Sequence, residues 1–136
     1  MVERMRSVAR SVQAAIADSA LRGGLSQGDF QALVRLVAAD GLTGAEVRRI
    51  LGVTSSSITE LADRLEHAGM IKRTQRPTDR RVVVLKPTPR GKRVVERALA
   101  PVLVAMSTVV RSLTAEELDV VSRFLDQVER GLDEIS

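Results

Sequence analysis

Apolar residues recur along this chain at intervals of three and four, and glycines, capping residues and one basic stretch interrupt the recurrence. Such spacing places the apolar positions on one face of an α-helix. Val8, Val12, Ala15, Ile16 and Ala20 predict a helix from residue 2 to about 21, with Arg4, Arg6 and Arg10 off the apolar face. Gly23 and Gly24 break it. Ser26 is placed to cap the next helix, with Asp29 at N3 where Glu is preferred. Phe30, Leu33, Val34 and Val37 then predict a helix over 27–39. Asp40-Gly41 reads as a turn, and Gly41–Leu42 as a short strand able to pair with later strands.

The stretch from 43 to 93 changes rhythm more often. Thr43 and Glu46 have the spacing of a capping box, and Gly52 supplies the stop, so a helix is predicted over 43–51. Thr54 or Ser55 caps a second helix, whose Ile58, Leu61, Ala62 and Leu65 share one face and which Gly69 ends. Met70–Gln75 and Arg81–Lys86 read as strands, the second containing a VVVL run, joined through a Pro-Thr-Asp turn. Thr88 caps again, with Pro89 at the first helical position.

Two long helices close the chain. Val94, Val95, Leu99, Val102, Leu103, Met106, Val109 and Val110 make a band wider than a monomeric surface helix needs, and Pro101 inside it predicts a kink. Thr114 caps the last helix, with Glu116 and Glu117 in its first turn. Leu118, Val121, Leu125, Val128 and Leu132 repeat at alternating three and four residues. This heptad-like seam suits a dimer interface.

The fold class that follows is mainly α with a small β-wing. Two helices joined by a tight glycine-containing turn fit a helix-turn-helix, in which the second helix enters the DNA major groove. Its opening side chains, Ser55, Ser56, Ser57 and Thr59, are hydroxyls that can donate to or accept from bases and phosphates, or simply cap and solvate the helix. The hairpin beyond decides between these. Residues 72–93 hold nine Lys and Arg against one acid, Asp79. That density on a projecting turn points to nucleic acid, because Lys and Arg displace counterions from phosphate.

Composition narrows the rest. With 136 residues the chain is long enough for one domain with a real core. Cys is absent, which removes disulfides, thiolate metal sites and cysteine redox switches. No apolar run reaches the roughly eighteen residues of a membrane span, and the N-terminus lacks a secretory signal's apolar stretch, so a cytoplasmic protein without membrane contact is expected. The net charge is +4, unevenly placed: residues 114–136 hold seven acids and two bases. No Gly-rich phosphate loop or metal-ligand cluster is visible. The single His, His67, stands near a helix C-terminus, where capping suits it better than catalysis. No enzyme, cofactor or metal site is expected.

LTGAEVRRILGVTSSSITELADRLEHAGMI, the wing RPTDRRVVVL and the TPRG opening of the next helix together resemble the MarR (multiple-antibiotic-resistance regulator) family of winged helix-turn-helix transcription factors. The resemblance covers about residues 25 to 136, and Asp79-x-Arg81 matches the family's D-x-R wing motif. It implies a homodimeric repressor on a pseudo-palindromic double-stranded operator, as one domain over 1–136. Residues 26–94 form its winged helix-turn-helix, and 1–25 with 95–136 its dimerisation helices. Val8, Val12, Ile16, Val109, Leu118, Val121, Leu125, Val128 and Leu132 are the candidate dimer contacts. Arg81, held by Asp79, is expected at the minor groove. Arg73, Arg76 and Arg80 are expected on phosphates, and Arg64 either on the DNA backbone or paired with Asp63 or Asp79.

The resemblance also implies an effector, since small anionic or phenolic compounds bind in the family between the dimer helices and the winged domain. Phe30 and Phe124 are the only aromatic residues. Arg10, Arg35 and Arg111 are the cations a carboxylate could meet, though each reads more readily as solvated. Three residues depart from the family pattern: Glu60 where a base is common, Arg48 where a small residue is usual, and Pro87 in place of an apolar residue. They keep open an alternative, a winged-helix dimer that acts mainly as a ligand- or protein-binding module with weak, non-specific DNA binding.

Overall fold

The computed structural model describes residues 1–135. Its elements, in order, are α1 (Val2–Arg22), α2 (Gln27–Ala38), β1 (Leu42–Thr43), α3 (Gly44–Leu51), α4 (Ser55–His67), β2 (Ile71–Arg76), β3 (Asp79–Pro87), α5 (Pro89–Arg111) and α6 (Ala115–Asp133). The chain forms two compact units that meet within α5: one reaches from Met1 to Ala100, the other begins at Pro101.

Most helix starts are built from local hydroxyl caps. The side chains of Ser26, Thr43, Thr54 and Thr114 each accept the N–H of the residue three further on, which satisfies a donor the helix itself leaves unpaired. Thr43 with Glu46 and Thr114 with Glu117 complete reciprocal capping boxes. Thr88 Oγ1 accepts from Gly91 N at 3.1 Å and donates to the Gly69 carbonyl at 2.6 Å, so one hydroxyl starts α5 and ties it to the end of α4.

The first unit has one core. Phe30, Leu33 and Leu36 of α2, Val47 of α3, Leu65 of α4 and Ile71 of β2 are fully covered. Leu36 belongs to the buried stripe of α2 that Val34 and Val37 were expected to share; those two are only half-buried against the core. The α1 helix is anchored by Ser19, whose buried Oγ lies 2.7 Å from both the Ala15 and Ala98 carbonyl oxygens. Gly91 stands where no side chain fits: a Cβ would overlap the Met70 carbonyl oxygen and lie 3.3 Å from Leu33 Cδ1.

The sheet has three antiparallel strands in the order β1-β3-β2. Strand β1 is Leu42–Thr43, one residue later than the sequence suggests, because Gly41 has φ +120° and makes the turn instead. Strands β2 and β3 form a hairpin across Pro77-Thr78. Its register runs regularly from Ile71↔Pro87 to Gln75↔Val83, then jumps to Arg76↔Asp79. Arg80, Arg81 and Val82 therefore bulge out of the ladder.

The second unit contains the later half of α5 and all of α6. Pro101 lies inside the α5 helix, Pro89–Arg111. No residue of α6 is buried, despite its apolar seam.

Candidate nucleic-acid interface

The basic hairpin presents its cations in two different states. At the tip, Arg80 and Arg81 are exposed and, among the described residues, neither side chain makes an ion pair. Asp79 Oδ1 accepts from the Arg81 backbone N–H at 3.0 Å. This is an Asx-type turn, so the aspartate fixes the main chain from which Arg81 projects and leaves the guanidinium unengaged. The exposed Arg76 closes the base of the tip and adds to the positive field felt by the Glu46 carboxylate.

Arg73 is in the other state. Its side chain is only 33% exposed, and its guanidinium is held by Asp63 at 2.6 Å and by Glu66. Its backbone N–H also donates to Glu66 Oε2 at 3.0 Å. The hydrogen bond that Arg73 donates to Asp63, then the one it donates to Glu66, raise its pKa against the opposing effect of burial. Donation from Arg73, first from its backbone N–H and then from its side chain, holds the Glu66 carboxyl below the usual range.

Arg64 meets neither of the partners expected of it. Its Nε and Nη2 donate to Asp29 Oδ2 and Oδ1 at 2.9 and 2.8 Å, a two-pronged pair with a residue of α2. Asp63 is taken by Arg73, and Asp79 lies at the wing tip serving Arg81. In the sequence Asp29 stands only at N3 where Glu is preferred, and its role is invisible locally because the partner lies 35 positions away.

The start of α4 is an exposed hydroxyl surface. Thr54 Oγ1 lies 3.1 Å from Ser56 Oγ and 2.9 Å from Ser57 Oγ, and Thr59 Oγ1 donates to the Ser55 carbonyl at 3.2 Å. Arg48 of α3 joins this surface by donating from Nη1 to Ser55 Oγ at 2.8 Å. Among the described residues it has no carboxylate partner, and it brings its cation to the N-terminal end of α4. Glu60 is exposed on the same helix. Pro87 is buried as the last residue of β3, opposite Ile71. A helix start lined with exposed hydroxyls, together with an exposed arginine tip on the wing, can hydrogen-bond base edges and phosphates while neutralising charge.

Elsewhere in the first unit a cavity of about 370 Å³ is lined by Gln13, Phe30, Gln31, Val34, Arg35 and Leu99, among others. It gathers Phe30 and Arg35 from the sequence-based candidates, but not Phe124, Arg10 or Arg111. Ile16, assigned from sequence to a dimer face, also lines it and packs on the core of its own unit. Among the described residues no group of His, Asp and Glu is arranged to hold a metal, and no helix is long and apolar enough to cross a membrane.

Comparison with known proteins agrees with this architecture. The family model described as MarR family matches residues 25–83. An uncharacterized HTH-type transcriptional regulator of Bacillus subtilis, YcgE, is 31% identical over 111 residues, covering 82% of this chain and 72% of the relative. The HTH-type transcriptional repressor MdtR of the same organism is 29% identical over 84% of this chain and 74% of its own. A crystal structure of a MepR variant from S. aureus superimposes with a TM-score of 0.80 at 21% identity, covering 96% of both chains. A MarR variant from E. coli complexed with operator DNA gives a TM-score of 0.61 at 23% identity, over 93% of this chain and 91% of that one. This chain belongs to the MarR family of transcriptional regulators.

Proposed function

We propose that the protein is a homodimeric repressor that binds a pseudo-palindromic double-stranded DNA site, with a small anionic or phenolic effector tuning its affinity. The observation that carries the DNA reading is the wing tip, where Arg80 and Arg81 stand exposed and, among the described residues, without an acidic partner, on the same unit as the hydroxyl face of α4. Ser55, Ser56, Ser57 and Thr59 would meet bases or nearby phosphates in the major groove, Arg81 the minor groove, and Arg76 and Arg80 phosphates. MdtR, by its name a repressor, and the MarR structure with operator DNA support the same assignment. Dimerisation is supported by α6, whose Val121 and Leu125 are exposed on an otherwise heptad-like seam. The effector is supported by the cavity, where the exposed Arg35 can meet a carboxylate.

The experiment is a titration of the purified protein with duplex DNA from its own upstream region, at two salt concentrations, with molar mass measured in parallel. Tight binding by a dimer, weakening steeply with salt, is the expected result. Exposed Glu60 would repel phosphate and favours the alternative of a ligand- or protein-binding module. Weak binding without sequence preference would select that alternative.

A further inference from the structure

A cation that contacts DNA must be available to it. Arg80 and Arg81 meet that condition; Arg64 does not. Although 56% of its side chain is exposed, two of its donors are committed to Asp29, whose side chain is only 8% exposed. To reach a phosphate, Arg64 would have to abandon a covered carboxylate, and a charge left unpaired under cover is costly. Its geometry is also directional: a guanidinium fork on both carboxylate oxygens fixes angle as well as distance.

The elements so joined are informative. Asp29 sits at N3 of α2, and its own N–H is held by Ser26. Arg64 lies in the later half of α4, beyond the Ser55–Thr59 hydroxyl surface. One residue earlier, Asp63 binds Arg73 of β2, and Glu66 two residues later binds Arg73 again. The helix is thus clamped on one side to the α2 scaffold and on the other to the wing, through charged groups that its buried stripe does not use.

We propose that Arg64 is a positioning residue rather than a DNA contact: its pair with Asp29 sets the orientation of α4, and so the aim of Ser55–Thr59. The inference rests on the DNA-binding reading above. It makes Asp29, a covered acid of α2, necessary for sequence discrimination.

The two roles of Arg64 give opposite signs for Asp29→Asn. The test uses the full chain, an operator duplex selected from random-sequence DNA, a scrambled duplex and a salt series. If Arg64 positions α4, Asp29→Asn weakens operator binding about tenfold, leaves the salt slope unchanged and does not weaken binding to the scrambled duplex. If Arg64 is a contact held back by Asp29, freeing it tightens binding to both duplexes and steepens the slope by about one, which overturns the proposal. Arg64→Lys and Arg64→Gln decide independently, should Asp29→Asn melt below the assay temperature. Lysine keeps the charge but lacks the fork. Positioning predicts equal losses in both variants; a lysine variant that binds as wild type does overturns it, as does wild-type binding by every variant. A wild-type protein with no preference between the duplexes removes the DNA-binding reading itself, and the proposal with it.

Discussion

Arg81 takes its direction from the main chain. The Asx turn at Asp79 and the three-residue bulge in β3 hold its backbone while its side chain stays exposed. Truncating such a residue removes a contact without disturbing a core. Arg81→Ala is expected to lower operator affinity about ten- to a hundredfold and to make the salt slope shallower by about one. Its thermal midpoint should match that of the wild type; a variant that binds unchanged would remove Arg81 from the interface. Arg73, in the same basic stretch, is spent on Asp63 and Glu66. Arginines that look alike in sequence differ in whether a carboxylate reaches them first. Arg48, which departs from the family pattern, gains a place beside Ser55 because α3 and α4 pack at that point.

At the level of elements, what could be read in advance was what the chain decides locally. Ser26, Thr43, Thr88 and Thr114 cap their helices through contacts three residues long, and those starts follow from sequence. Thr54, one of two candidates, proves to be the cap of α4. The bulge was not legible, since register is a property of two strands, and so β3 begins at Asp79 rather than Arg81. Asp29–Arg64 was hidden for the same reason, as was the Ser19–Ala98 contact across 79 positions.

The local devices carry a pH signature. Backbone N–H donation from Thr43 lowers the Glu46 carboxyl pKa, the Arg73 N–H lowers that of Glu66, and a hydrogen bond from Lys92 lowers that of Asp40. A carboxyl whose pKa is depressed in the folded state stabilises it above the ordinary carboxylate range and loses that contribution as the pH falls through the lowered value. Urea denaturation from pH 7 down to 3 should therefore show stability falling on the acid side. In Glu46→Gln, whose amide oxygen can still cap, that acid limb should be less steep; an identical limb would exclude Glu46 as a contributor.

Across the whole molecule, charge and apolar surface are separated along the chain. The basic residues gather in 72–93, whereas 114–136 is acidic and carries an apolar seam. On α6, Val120, Val121, Phe124 and Leu125 are all exposed, Leu125 by 54%. If a second copy covers them, Leu125→Glu places a charge in that contact. The dimer dissociation constant should rise on the order of a hundredfold, as read by sedimentation across a dilution series. Unchanged mass at every dilution would place the interface elsewhere.

A helix with no buried residue has one further consequence. If its packing comes from a second copy, protein abundance becomes part of the control. Below the dimer dissociation constant, occupancy of a two-headed site rises with the square of protomer concentration. Doubling expression then increases operator binding about fourfold in that regime, and halving it reduces binding as sharply. A gene under such a regulator would respond to dosage with a threshold, set by the hydrophobicity of one exposed stripe.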